Sequence, residues 1–278
     1  MSFKTIFSII GVDQDGSDLV AAAELSDRSN AHLNAVVVAC VPPAPIGEVV
    51  GKAYSTWSMD WEAENKRLED RTASHVEFLT GRGLRGDVQP LYCLDGTVDE
   101  EVATRACYAD VSLIGPDLLK DDFLLKRVLD GALFQSPAPV ILAPKGRPVD
   151  LAPKTVLVAW NAGLEAGKAL RQAMDMLIGA KSVHVVLVDP QATTHAMGQE
   201  PGADVATLLA RHGVETTVDV LASGGRETGE VIRQHAVDIG ADLIVMGAYG
   251  HSRLRERIFG GVTNSMIENP GIPVLLAH

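Results

Sequence analysis

Lysine and arginine are in short supply, 24 against 36 aspartates and glutamates, which gives the 278-residue chain a formal net charge of -12. Nucleic-acid affinity rests largely on neutralising phosphates with basic side chains, so this balance argues against a general nucleic-acid binder, and any anion site must be local. Cysteine is scarce as well. Cys40, Cys93 and Cys107 are odd in number, widely spaced and without a Cys-x-x-Cys pair, which suggests neither a disulfide framework nor a zinc site and points to a reducing cytoplasm. No window approaches the ~20 apolar residues that cross a bilayer. The apolar start "MSFKTIFSIIGVDQDG" is interrupted by Gly11, Asp13 and Asp15 with no small-residue cleavage site behind it, so it reads as a buried strand and membrane insertion is not expected. Aromatics make up 5% against 46% hydrophobic residues in all, so the interior must be built mainly of Ala, Val, Leu and Ile.

What the chain does have is one plan written twice. "ADVSLIGPDLL" at 109–119 matches "ADLIVMGAYGH" at 241–251, "SPAPVILAPK" at 136–145 matches "NPGIPVLLAH" at 269–278, and "FKTIFSIIG" at 3–11 matches "PKTVLVAWN" at 153–161. Between the copies, "KGRPVDLAPK" at 145–154 is a poor element and a good surface linker, so the domains are expected at 1–146 and 153–278. Strands are expected near 4–10, 35–40, 88–93, 110–114 and 139–143, and again near 155–160, 183–188, 217–221, 242–247 and 273–277. Helical periodicity, as in "EAGKALRQAMDMLIG" at 165–179, separates them. Apolar strands alternating with helices predict two doubly wound α/β domains with five-stranded parallel sheets. They are expected to pair as an intramolecular pseudo-dimer with an approximate two-fold, because the closing "PVIL" and "PVLL" edges need covering. The connection at 41–60, in the segment "VPPAPIGEVVGKAYSTWSMDW" with its three prolines and two tryptophans, is expected as a surface loop whose aromatics pack over a sheet end, or as a partner surface.

The glycines of 241–278 carry the chemistry. Gly247 and Gly250 follow an apolar strand, nine residues pass, and Gly260 and Gly261 open "VTNSMIEN". At the carboxyl edge of a parallel sheet, where open α/β domains bind ligands, glycine lets backbone approach a phosphate or ribose. The unpaired N–H groups opening the following helix would face the anion. Arg253, Arg255 and Arg257 crowd the span between the glycine pairs in an otherwise acidic chain, either beside the site or as a solvated basic loop.

With these motifs the chain resembles a tandem universal stress protein over nearly its whole length, most specifically at 241–277. The resemblance implies an adenine nucleotide alpha hydrolase-like fold and, in members that bind ATP, Gly-x-x-Gly, nine residues, then Gly-Ser or Gly-Thr. Gly247, Gly250 and Gly260 match; Gly261 stands where the hydroxyl residue belongs. Asn161 stands where the family commonly has an Asp near the adenosine, with Ala159 and Trp160 before it. The implied ligand is ATP or another adenine nucleotide, with Mg²⁺ as a companion, held by backbone around Val245, Met246, Gly247 and Gly250 and from Gly260 and Gly261 to Val262. His251 adjoins the loop, and Thr263 and Ser265 are the nearest hydroxyls. In the first copy Leu118 replaces Gly250, and Lys126 and Arg127 replace Gly260 and Gly261, so only the second copy is expected to bind.

Other constellations are weaker. "SGGRETGE" at 223–230 resembles an ATP-enzyme loop but follows the third strand of its copy, so it is expected to cap the next helix beside the cleft. The eight histidines show no metal-ligand spacing. No nucleophile stands in an activating context. A stress-response binding module is expected, with possible protein partners and homodimers, rather than an efficient enzyme. The alternatives are an interaction protein that has lost nucleotide, and a slow ATP hydrolase.

Overall fold

Each apolar run expected to be a strand is one, because β-branched residues flanked by turn signals lose least in a pleated, covered layer. The computed structural model describes residues 3–44, 50–94, 96–190, 202–249 and 261–278, with only the backbone for 50–53. The chain divides into two compact units, the first spanning Phe3–Ala138 and the second including Pro139–His278.

In the first unit the order is β1 (Thr5–Gly11), α1 (Ser17–Ser29), β2 (His32–Val41), α2 (Val50–Gly81), β3 (Gly86–Leu94), α3 (Val98–Ala106), β4 (Val111–Ile114), a 3₁₀ turn (Leu118–Lys120) and α4 (Asp122–Phe134). Parallel pairing gives the strand order β3-β2-β1-β4. The second unit contains β5 (Val140–Leu142), β6 (Thr155–Ala159), α5 (Leu164–Gln172), α6 (Met174–Gly179), β7 (Ser182–Val188), α7 (Ala203–Arg211), β8 (Thr216–Leu221), α8 (Thr228–Asp238), β9 (Leu243–Gly247), α9 (Gly261–Glu268) and β10 (Val274–Ala277). Its order is β5-β10-β9-β6-β7-β8, parallel throughout except that β5 runs antiparallel to β10, Ile141 opposite Leu275. The closing strand of the first copy thus covers the edge of the closing strand of the second. Each copy is a doubly wound α/β domain.

Burial sorts the strands as the hydropathy does. β1, β4 and β9 are buried at almost every position, as central strands covered on both faces must be. β3 and β8, at the outer ends of these orders, alternate or stay half exposed. The repeated Ala-Asp dipeptides do the same task twice. The Asp110 carboxylate accepts from the Lys4 and Thr5 N–H groups at 2.6 and 2.9 Å, and that of Asp242 from Lys154 and Thr155 at 2.9 and 3.0 Å. Each aspartate fixes the start of its copy's first strand.

Two expectations change. The 41–60 connection is helical from Val50 onward, as α2 runs unbroken to Gly81; from Val50 to Thr80 there is no proline and the one glycine, Gly51, falls in the first turn. Trp57 Nε1 donates to the Pro42 carbonyl at 3.1 Å, and the Trp61 ring meets Tyr92 of β3 edge-on at 5.7 Å. The helix expected at 165–179 is two helices, α5 and α6, separated at Ala173.

Candidate functional site

The chain leaves β6 towards β7 on one side and later places β9 on the other side of β6, so the topological switch point of the second unit lies between β6 and β9. Crevices at such points, outside the carboxyl ends of the strands, are where open sheets take ligands. Register sets Val158 beside Val245 and Ala159 beside Met246. Ala159, Trp160 and Asn161 therefore leave β6 next to the place where Val245, Met246 and Gly247 leave β9. Residues 86 positions apart share one edge because of that pairing.

Gly247 has a use that the sequence did not reveal. A Cβ there would lie 2.4 Å from the Ala166 nitrogen and 2.5 Å from the Glu165 carbonyl carbon, so the glycine lets the first turn of α5 sit directly against β9. Beyond it, the Ala248 N–H donates to the Ala277 carbonyl at 2.8 Å, and the Tyr249 N–H to Thr263 Oγ1 at 3.3 Å. Thr263 is 4% exposed; its hydroxyl oxygen ties Tyr249 to α9. Ser265 is similarly engaged, accepting from Arg233 Nη1 at 2.7 Å. Gly261 begins α9, is exposed and has no atom of the described residues within 4 Å of a notional Cβ, while Val262 is half-buried behind it. Gly250, His251 and Gly260, and with them Arg253, Arg255 and Arg257, lie outside the described residues.

On the β6 side, Trp160 is half-buried and its N–H donates to the Val186 carbonyl at 2.9 Å, extending the ladder by one residue. Asn161 is exposed, and its Oδ1 accepts from the Gly163 N–H at 2.9 Å, turning the chain into α5. An Asp would make the same turn, so Asn161 keeps the geometry and loses the charge. Asp189 follows the end of β7 and stands in no motif of the sequence. It accepts from the Ser223 N–H at 3.1 Å, and its hydrogen bonds from Ser223 hold the carboxyl below its ordinary range. "SGGR" forms its own turn at this edge, with positive φ at Gly224 and Gly225. It does not cap α8, which starts at Thr228 behind Glu227 without a side-chain cap.

The corresponding edge of the first unit is filled from within. A Cβ on Gly115 would lie 2.3 Å from Asp18 Oδ1, because the Asp18 carboxylate occupies the turn after β4, accepting from Asp117 N–H at 2.6 Å and Leu118 N–H at 2.9 Å. Asp117 answers by accepting from the Ser17 N–H at 3.0 Å. Burial, opposed by those two backbone donors, raises the Asp18 pKa to about 6. Leu118 is fully buried. α4 begins at Asp122, capped by Asp121 accepting from the Leu124 N–H at 3.0 Å, so the N–H groups of Lys126 and Arg127 lie inside a helix and not at its open end. On the β1 side, Arg67 of α2 pairs with Asp13 at 2.8 Å, and Arg71 donates to the Val12 and Gln14 carbonyls.

Comparison with known proteins fits this architecture. The sequence profile of the universal stress protein family matches residues 153–278. That half of the chain is a universal stress protein domain. Universal stress protein Slr1230 of Synechocystis is 30% identical over 126 residues, 43% of this chain and 41% of that protein. Stress response protein NhaX of Bacillus subtilis is 32% identical over 78 residues, 28% of this chain and 45% of its own length. The chain thus matches less than half the length of either curated relative. A universal stress protein from Archaeoglobus fulgidus superposes over 100% of this chain and 96% of its own, with a TM-score of 0.62 at 17% identity. A functionally unknown protein from Pseudomonas aeruginosa superposes over 99% of this chain and 92% of its own, with a TM-score of 0.57 at 16% identity. At those identities the likeness is one of fold, and it extends the universal stress protein fold across both copies in tandem. No helix among the described residues is long and apolar enough to cross a membrane.

Proposed function

We propose that the universal stress protein domain at 153–278 binds an adenine nucleotide, ATP foremost, in the crevice between β6 and β9, and that the chain acts as a stress-response binding protein. The observation that carries this reading is the switch point itself: the parallel β6–β9 pairing brings Trp160 and Asn161 to the edge where β9 ends at Gly247, and α9 begins at Gly261. The adenosine would lie against Ala159–Asn161. The phosphates would meet the backbone N–H groups of the loop and of the first turn of α9, whose positive end favours an anion. Mg²⁺ would arrive with the phosphates.

Titration calorimetry with ATP and with AMP, each with and without Mg²⁺, tests this reading. Saturable binding by the wild-type chain is expected, and Gly250→Leu, which copies the Leu118 of the first unit, is expected to abolish it while the circular dichroism spectrum is retained. Absence of heat at millimolar ATP, or undiminished binding by Gly250→Leu, overturns the reading. Absent binding would favour the alternative, an interaction protein that retains the fold, to which Gly261 and the occupied Asn161 amide oxygen already lend support.

A further inference from the structure

The other end of the second unit's sheet holds a cluster that the nucleotide reading does not use. His184 stands near the start of β7, Asp219 lies on β8, and His235 is in the last turn of α8. Asp219 pairs in register with Val186, two residues beyond His184, so both side chains rise from one face of the sheet, and α8 runs back over that face to bring His235 to the same point. His184 Nδ1 lies 2.8 Å and His235 Nε2 3.1 Å from the same oxygen, Asp219 Oδ2. The two rings are 6.3 Å apart and inclined by 73°, so they converge on the carboxylate without stacking.

We propose that His184, Asp219 and His235 form a three-ligand site for a divalent transition metal of the zinc type, which clips α8 to the β7–β8 edge. The donor set decides the metal class: two imidazole nitrogens and one carboxylate suit zinc, copper or nickel, whereas magnesium and calcium require oxygen shells. The spacing fits. The three donor atoms lie within 4.8 Å of one another, and a tetrahedral ion with bonds of about 2.1 Å holds its ligands roughly 3.4 Å apart. The side chains are about one-fifth exposed, 19%, 22% and 19% for His184, Asp219 and His235, which leaves a fourth position open to water.

The surrounding atoms can take up the protons. Without metal, each ring nitrogen facing Asp219 serves as a donor. With metal bound there, each neutral ring carries its proton on the other nitrogen, and for His184 that is Nε2, 3.1 Å from Ser182 Oγ. The hydroxyl accepts that proton's hydrogen bond and fixes the ring, which is the outer partner that ligating histidines usually have. A single carboxylate leaves the ion one net positive charge, which an acidic chain of net charge -12 tolerates at a partly exposed place.

The test uses EDTA-treated, tag-free full-length protein titrated with ZnCl₂ against a chromogenic zinc chelator. One equivalent of Zn²⁺ is expected to bind, unaffected by millimolar MgCl₂, and at least tenfold more weakly in Asp219→Asn and His235→Gln. The metal-free melting curves of both variants control for folding. Imidazole ¹⁵N spectra of the wild type give a readout independent of any variant: Zn²⁺ is expected to shift Nδ1 of one histidine and Nε2 of another. No uptake at tens of micromolar free Zn²⁺, equal uptake by both variants, or shifts confined to other histidines would show that the trio is only a hydrogen-bonded cluster and overturn the proposal. None of these outcomes depends on nucleotide binding.

Discussion

Glycine at 247 and glycine at 261 look alike in the sequence and do different things. Gly247 is pressed against the backbone of α5, so a methyl group must push strand and helix apart. Gly247→Ala is expected to lower stability by about 1–3 kcal/mol, the usual cost of overpacking a filled interface, in urea unfolding with no ligand present. At the start of α9, a side chain on Gly261 would meet nothing among the described residues. Gly261→Ser supplies the hydroxyl that ATP-binding relatives are expected to carry. It should leave stability within ~0.5 kcal/mol and tighten ATP roughly tenfold, the equivalent of about 1.4 kcal/mol for one hydrogen bond to a charged phosphate. Unchanged ATP affinity by calorimetry would place the phosphates away from α9.

At the scale of elements, the two copies differ in what meets the turn after the fourth strand. In the first unit the start of α1 contributes the Asp18 carboxylate, which takes the N–H groups of Asp117 and Leu118. In the second unit no aspartate of α5 stands against Gly247, whose neighbours are Ala166 and Glu165. The internal carboxylate has a pH consequence. Burial raises the Asp18 pKa from 3.8 to about 6, so the folded state holds this proton more tightly than the unfolded chain does. Its contribution is therefore most favourable below about pH 4 and is lost as pH rises through about 6. At ~1.36 kcal/mol per unit, the loss is about 3 kcal/mol. Asp18→Asn should remove that slope from the stability curve, though it offers one acceptor oxygen where two are used and so lowers stability overall. Urea unfolding at about pH 4 and pH 7 checks this, and parallel curves for variant and wild type would refute it.

For the whole molecule, this asymmetry predicts one nucleotide per chain. The first unit has the same strand order but has filled its edge with Asp18, Leu118, Arg67 and Arg71, while α4 is capped by Asp121. ATP titrated into full-length protein should saturate at one equivalent, and Leu118→Gly alone should not create a second site, because the Asp18 carboxylate would still repel a phosphate from the same N–H groups. Two equivalents in the wild type would mean that the first unit opens in solution.

The sequence by itself determined the fold. Ten apolar runs, a repeated Ala-Asp before each fourth strand and matching proline-headed closing strands are local patterns that survive without knowledge of distant neighbours. It also placed Asn161 and Gly247 on one carboxyl edge, because a parallel βα repeat leaves little choice of topology. Only tertiary structure decided what each residue does there. That Gly247 serves helix packing, that Thr263 holds Tyr249, and that Asp18 fills the first unit's turn from about 100 residues away depend on contacts no local window contains. The His184–Asp219–His235 trio is the plainest case. Its members are 35 and 16 residues apart and match no ligand spacing; β7–β8 register and the return of α8 bring them together, and neither is written in the residues themselves.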